Sequence, residues 1–215
     1  MFTGIIEHVG RIVRIDTTPF GARLRVDAAN LVDRVTRGDS VAVHGVCLTI
    51  ADESASNGQL RFDVVSQTLR LSALGDLNEG DRVHLEPAAT PTTMLGGHVV
   101  QGHVDAIGSV IDVRDEAADR RVRIRPDQRR VSGDDNVRAM DCIVAQGSIA
   151  INGVSLTVAD TGEDDFEIAL IPTTLELTTL GELQPGDRVN LETDYMARIV
   201  VNWLRRHRSP DSEST

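Results

Sequence analysis

Ser40–Asp52 reads SVAVHGVCLTIAD, and Ser148–Asp160 reads SIAINGVSLTVAD. Eight of these thirteen positions are identical and three more exchange valine for isoleucine, so the chain is written twice. A second pair agrees: Thr68–Glu86 (TLRLSALGDLNEGDRVHLE) and Thr174–Glu192 (TLELTTLGELQPGDRVNLE) share twelve of nineteen positions. The opening repeats as well, Gly4 and Gly10 of TGIIEHVG answering Gly102 and Gly108 of QGHVDAIG. The offset between copies is 98 residues at the start, 108 in the middle and 106 late. The second copy therefore carries a ten-residue insertion around Asp112–Cys142 and a two-residue deletion near Gly162, both where loops are expected. A repeat near one hundred residues is far longer than a solenoid unit. Each copy is read as a domain, and two like domains predict two like binding sites.

The chain has 215 residues, enough for two domains of roughly 100 residues, each with a modest core. Net charge is −11 and all 22 basic residues are arginine. Without lysine, Schiff-base chemistry and a phosphate-binding P-loop are excluded. The acidic balance argues against nucleic acid, and aromatics at 3% leave few stacking platforms. The arginine-rich stretch Arg120, Arg121, Arg123, Arg125, Arg129 and Arg130 is flanked by Asp115, Glu116, Asp119 and Asp127. Its alternation predicts a strand with one charged, solvated face. Cys47 and Cys142 match no zinc or redox spacing and read as reduced thiols of a cytoplasmic protein. No apolar run reaches the roughly 20 residues of a membrane span, and MFTGIIEHVG reads as a first strand rather than a leader.

Most segments are short, β-branched and separated by turn residues, which predicts an all-β protein. Expected strands in the first copy are 9–15, 23–26, 40–50, 61–65 and 82–86; in the second, 108–113, 121–125, 148–158, 166–171 and 188–192. Pro19-Phe20-Gly21, Asn78–Asp81 and Pro185-Gly186-Asp187 read as turns. Leucines spaced by three (Leu71, Leu74; Leu177, Leu180) predict a helical turn plugging each barrel. The domains fall at 1–88 and 98–193, with a linker at 89–97 after Pro87. After Asp194, a candidate cap, the pattern becomes helical over 194–208, with Met196, Ile199, Val200, Trp203 and Leu204 along one stripe. Arginines occupy its other faces; the helix must cover its own barrel or pair with copies of itself, and the chain's one tryptophan on that stripe favours self-association. Residues 209–215 read as a disordered tail.

The G-V-x-L-T element is the strongest candidate for chemistry. Gly45 and Gly153 permit a bulge or a close backbone approach to a ligand. Thr49 and Thr157 recur at one offset, and Cys47 stands against Ser155. Ile5 stands against His103, a side chain that moves protons near neutral pH. His98 lies five residues earlier, but no third ligand of metal spacing follows. A G-x-S-x-G elbow and a dinucleotide fingerprint are both missing from the sequence.

These features together closely resemble the riboflavin synthase family, all-β trimers with two lumazine-binding repeats. The resembling residues are Met1-Phe2-Thr3-Gly4-Ile5-Ile6-Glu7, Gly45–Thr49, Gly96–Asp105, Gly147-Ser148-Ile149, Gly153–Thr157, Ile171–Leu175 and Asn190-Leu191-Glu192. The match spans about residues 1–205. The resemblance implies two tandem antiparallel Greek-key barrels followed by a C-terminal trimer helix. It implies a four-carbon transfer between two molecules of 6,7-dimethyl-8-ribityllumazine, giving riboflavin and 5-amino-6-ribitylaminouracil, with no cofactor or metal. The reacting pair would meet between the N-barrel of one subunit and the C-barrel of a neighbour. An association with lumazine synthase is also within what the resemblance covers.

Carried onto this chain, the resemblance makes His103, Ser155 and Thr157 the proton-transfer and nucleophile-positioning group of the C-barrel site. Cys47 and Thr49 polarise the N-barrel ligand, Phe2 and Thr3 close over the site, and Asp194 orients neighbours. Ligand contacts are expected from Gly4, Ile5, Ile6, Leu48, Asp63, Val64, Val65, Ser66, Gln67 and Thr68. The second set is Gly102, Val104, Gln146, Leu156, Ala169, Leu170, Ile171, Pro172, Thr173 and Thr174. Three positions depart from the family: Gln146 replaces a usual lysine, Gln67 a usual glutamate, and His44 a usual asparagine. A non-catalytic lumazine or flavin carrier is the competing expectation. The flavin barrel of a reductase, hinted at by Arg70-Leu71-Ser72, lacks the nucleotide-binding domain that should follow.

Overall fold

The structure, a computed structural model, describes residues 1–52, 58–116, 119–128 and 137–207. The expected tail at 209–215, Arg208, Arg129 and Arg130 lie outside the described residues.

Period-two burial builds the strands. In Gln59–Val65, Leu60, Phe62 and Val64 are buried while Arg61, Asp63 and Val65 face outward. The first copy forms β1 (His8–Thr18), β2 (Gly21–Asp27), β3 (Ser40–Val43), β4 (Val46–Thr49), β5 (Gln59–Val65) and β6 (Arg82–Pro87). They pair antiparallel in the order β4-β3-β6-β1-β2-β5, and an Ile50–Phe62 bridge joins the two ends. The second copy forms β7 (Ala106–Asp115), β8 (Arg120–Pro126), β9 (Ser148–Ile151), β10 (Val154–Thr161), β11 (Phe166–Leu170) and β12 (Arg188–Thr193). It closes into a barrel of the same order, β10-β11-β8-β7-β12-β9. Bulges after Ile12, Val110 and Val158 bend the long strands around each core. The expected helical turns are α1 (Ser66–Leu71) and α2 (Pro172–Leu177). The final helix is α3 (Tyr195–Arg206), capped by the Asp194 carboxylate, which accepts from Met196 N at 2.8 Å. No described helix is long and apolar enough to cross a membrane.

Two expectations fail for local reasons. Residues 40–50 and 148–158 are hairpins, not single strands. His44 (φ +52) with Gly45 (φ +83), and Asn152 (φ +48) with Gly153 (φ +84), form two-residue turns with both φ positive. Such turns match the twist of the flanking strands. The repeated glycines therefore serve a turn, not a bulge beneath a ligand. Met1–Glu7 is no strand of the first barrel either. Only Phe2 pairs, with Val100 (N to O 2.7 Å and 3.1 Å back), so the leading segments of the two copies cross each other. The arginine-rich strand β8 does present a charged face: Arg121 pairs with Asp119, and Arg123 with Asp160 and Asp165.

The two hairpin turns meet back to back, and the contact is pseudo-symmetric in its hydrogen bonds. Asn190 Nδ2 donates to His44 O at 2.8 Å while its Oδ1 accepts from Ala73 N at 2.6 Å. At the equivalent position of the first copy, His84 Nδ1 lies 2.8 Å from Asn152 O, and Nε2 accepts from Thr179 N at 2.9 Å. Imidazole thus does the work of a carboxamide, and it does so only as the neutral Nδ1–H tautomer. Burial pushes His84 down to about 4 from its ordinary 6.5. Burial, and then the neighbouring His84, hold His44 well below its ordinary value. Arg82–Glu182 and Arg188–Asp76 (2.6 Å) close the rim of this contact from both sides.

An unfolded His84 takes up its proton near 6.5, whereas the folded one resists to about 4. Its stabilising contribution is complete above 6.5 and drains as pH falls through that window, by roughly 3 kcal/mol at most. His84→Asn supplies the donor and acceptor found at Asn190 without a titrating group. The variant's urea midpoint is expected to fall less than the unmodified protein's between pH 7 and 4.5. Parallel curves would assign the acid sensitivity elsewhere.

Candidate functional site

Each barrel's leading segment leaves home and lies across the G-V-x-L-T strand of the other. Gly4 O accepts from Ser155 N at 2.7 Å, and Gly102 O accepts from Cys47 N at 2.8 Å. Both glycines have φ +76, and a Cβ on Gly4 or Gly102 would stand 2.5 Å from Ser155 Cβ or 2.7 Å from Cys47 Cβ. Only glycine lets these straps sit so close. Phe2 is fully buried where they cross, against Val100, Ala42 and Ala150.

This crossing assembles two cavities from both copies. The first, about 270 Å³, is lined by Val46, Cys47, Gln67, Thr68, Leu71 and Ser72 of the N-barrel, and by Gly102, His103 and Val104 of the second strap. The second, about 380 Å³, is lined by Ser148, Ser155, Leu156, Thr157, Ala169, Ile171 and Thr174 of the C-barrel. Ile5 of the first strap and Gly96 and Gly97 of the linker complete it.

His103 consequently sits with Cys47 in the N-barrel cavity. It is not grouped with Ser155 and Thr157, as the sequence reading had it; its partner across the repeat, Ile5, is the one beside Ser155. The imidazole at Ser155 belongs to His98, whose Nδ1 lies 2.7 Å from Ser155 Oγ. Burial lowers the pKa of His98, with the Asp194 charge pulling the other way. The repeat comparison missed His98 because its counterpart would precede Met1. Its place in GGHVVQGH, five residues before His103, was the available signal.

Other expected residues divide by where their side chains go. Leu48, Val64 and Leu170 are buried in barrel cores, and Ile6 packs against the C-barrel core. Asp63 pairs with Arg23 at 2.7 Å, and Ser66 Oγ donates to Phe20 O. Thr49 is exposed at the end of β4; Val65, Pro172 and Thr173 are exposed beside the helical turns. None of these lines either cavity. Phe2 is the plug between straps, and Thr3 N and Oγ1 donate to Glu86 Oε1 at 2.6 and 2.7 Å; neither lines either cavity of this chain. Asp194 spends its carboxylate on the α3 cap. Gln67 lines the N-barrel cavity, whereas Gln146 is an exposed turn residue with φ +64 outside the C-barrel lining.

Two buried carboxylates hold the straps. Glu86 accepts from Thr3 and Gly4, and Glu192 from Gln101, Gly102 and His103. Burial pushes Glu192 up to about 7, opposed by its backbone donors and aided by Asp105. Asp105 is itself buried, holding Thr193 N and Oγ1 at 2.9 and 2.8 Å and pairing with Arg198 of α3.

Cys47 is half-buried beside the strap, whereas Cys142 is 2% exposed. Gly102→Ala must shift the strap off Cys47 and adopt a strained φ, at a cost of about 1 kcal/mol or more. Labelling of Cys47 by a thiol reagent is expected to accelerate severalfold. Gly38→Ala, where φ is +91 but a Cβ meets nothing within 4 Å, should leave it unchanged.

Comparison with known proteins agrees with this architecture. The lumazine binding domain model matches residues 3–88 and again 101–194. Riboflavin synthase of Mycobacterium tuberculosis (strain ATCC 25618 / H37Rv) is 42% identical over 208 residues, covering 95% of this chain and 98% of the relative. Riboflavin synthases of Actinobacillus pleuropneumoniae and Escherichia coli K12 are 36% and 34% identical, over 100% and 96% of this chain and 94% and 92% of theirs. A solved structure of LumP complexed with 6,7-dimethyl-8-(1'-D-ribityl) lumazine superposes with a TM-score of 0.75 at 25% identity, covering 90% of this chain and 99% of that one. LumP complexed with riboflavin gives the same values. With both repeats matched and near full-length relatives above 30% identity, the chain belongs to the riboflavin synthase family, built from two lumazine-binding domains.

Proposed function

We propose that this chain converts two molecules of 6,7-dimethyl-8-ribityllumazine into riboflavin and 5-amino-6-ribitylaminouracil by moving a four-carbon unit from one to the other. The observation that carries the reading is the pair of equivalent cavities, each walled by both copies: one places His103 beside Cys47, and the other is lined by Ser155, whose Oγ lies 2.7 Å from His98 Nδ1. The reaction is a dismutation, so its atoms and electrons balance with no external oxidant. The C7 methyl of the lumazine is acidic because its anion delocalises into the pteridine. A base must take that proton, and the partner molecule must be held face to face; orientation supplies much of such an acceleration.

In this reading His103 and Cys47 serve the ligand of the N-barrel cavity. His98 and Ser155, with Thr157, serve the ligand of the C-barrel cavity, His98 accepting the hydroxyl proton as Ser155 positions a nucleophile. The strand N–H and C=O groups of β4 and β10 read the amide-like edges of the ring. The working unit is a homotrimer in the cytoplasm, with the pair of ligands brought together between neighbouring subunits. Met196, Ile199, Val200, Trp203 and Leu204 support this, being 44–65% exposed on one helix. An uncovered apolar stripe of that size marks an interface. A non-catalytic lumazine or flavin carrier is the second reading; His103 in the N-barrel cavity and His98 on Ser155 Oγ favour catalysis.

Purified protein given 6,7-dimethyl-8-ribityllumazine alone is expected to yield one riboflavin per two lumazines consumed. His103→Ala should lower kcat by roughly a hundredfold, the ordinary size of a lost acid–base group. Tight ligand binding without turnover would leave the carrier reading. Trp203→Glu with Leu204→Glu, on the exposed stripe, should drop the native mass from trimer to monomer in sedimentation; an unchanged mass would refute the helix interface.

A further inference from the structure

We infer that Glu192 is a positioning residue: its carboxylate fixes the backbone of 101–103 so that His103 and Val104 form one wall of the N-barrel cavity. The ligand-binding part of this inference rests on the function proposed above; the positioning itself does not.

A strap that leaves its own barrel gives up its strand partners, and its buried N–H groups need other acceptors. Glu192 provides them all from one side chain, 3% exposed. Oε1 accepts from Gln101 N at 2.6 Å, and Oε2 accepts from Gly102 N at 2.8 Å and His103 N at 3.0 Å. A carboxylate has lone pairs enough for three donors, and a carboxamide does not. Consecutive N–H groups converging on one anion form a rigid nest.

The other copy shows what is special here. Glu86, the equivalent carboxylate, accepts from Thr3 N, Thr3 Oγ1 and Gly4 N, and stops there. Ile5 N, the counterpart of His103 N, instead donates to Thr3 Oγ1 at 3.2 Å. Two residues further on, the difference widens. Asp105 is buried and fastened to Thr193 and Arg198, and Arg198 also reaches Gln101 Oε1 at 3.3 Å. Its counterpart Glu7 is a surface residue paired with Arg34. Both straps return to their own barrels by equivalent backbone bonds, Asp105 N to Leu191 O at 2.8 Å and Glu7 N to Leu85 O at 3.2 Å, but only the second has buried side chains holding it on both sides of His103. A backbone held this firmly fixes the Cα from which the exposed imidazole approaches, which a proton-transfer group requires and an apolar Ile5 does not.

The test is Glu192→Gln, with Glu86→Gln as its mirror, read by amide hydrogen exchange with and without riboflavin. Without ligand, Glu192→Gln should raise exchange at 101–103 by about tenfold or more while 3–4 stays protected; Glu86→Gln should do the reverse. With riboflavin, Glu192→Gln should lose protection at Val46–Cys47 and Gln67–Ser72 but keep it at Ser155–Thr157 and Ile171–Thr174. Unchanged exchange at 101–103, or equal loosening of both straps, overturns the inference. If riboflavin protects neither cavity of the unmodified protein, the ligand reading fails, and the ligand-free exchange still decides the positioning role. If Glu192→Gln does not fold, the unmodified protein decides: His103 N–H must exchange more slowly than Ile5 N–H, and equal rates overturn the inference.

Discussion

The two barrels meet where neither hairpin turn can carry a side chain at its glycine. A Cβ on Gly45 would stand 2.5 Å from Gly153 N, and one on Gly153 2.9 Å from Gly45 N. This approach brings the carbonyls of His44 and Asn152 within reach of Asn190 and His84 on the opposite barrel. It also sets the distance across which each strap must travel. With the hairpins back to back, Gly4 lands on Ser155 and Gly102 on Cys47, and both cavities take their walls from that landing. A shift of one hairpin would move every element that shapes a ligand site.

The contact is polar as well as close, so it tolerates no partial fit. Each unpaired buried donor or acceptor would cost about 1–3 kcal/mol, and several lie within a few residues of the two turns. The asparagine solution and the histidine solution each satisfy one backbone carbonyl and one backbone N–H, at equivalent places of the two copies. They differ in their response to acid, because Asn190 does not titrate and His84 does. Likewise Glu86 and Glu192 satisfy strap N–H groups that have no strand beside them. Their raised pKa values reflect burial outweighing those hydrogen bonds.

The fold class, α3 and its cap were all legible, because period-two and helical patterns are local. The two hairpins were less so. SVAVHGVCLTI is apolar on both sides of its turn, and His44 disguises it; Asn152-Gly153, the strongest short hairpin signal, stood in the other copy. What no local pattern carries is which barrel a strap crosses. TGII and QGHV read as the starts of their own domains, so His103 was grouped with the residues of its own copy. The structure exchanges them, pairing His103 with Cys47 and Ile5 with Ser155. Gln67 and Gln146 show the same limit. Both stand where charge was expected, yet only Gln67 lines a cavity.

The exchange also changes what the asymmetry between copies means. Comparing copy with copy, Ser155 in place of Cys47 and His103 in place of Ile5 both fall in the second domain. Comparing cavity with cavity, each takes one thiol or hydroxyl from its own G-V-x-L-T strand, but the imidazole stands in a different relation to each. In the N-barrel cavity the imidazole comes from a strap pinned by Glu192 and Asp105. At the C-barrel cavity His98, just past the linker, lies outside the lining and meets Ser155 Oγ at 2.7 Å, while the strap supplies an apolar Ile5. A protein with true twofold symmetry would present two identical ligands with identical surroundings, and neither would be favoured as donor. A reaction between two molecules of one compound needs the two settings to differ while both still fit the same ring. Conserving the backbone crossing while exchanging four side chains across it meets both demands.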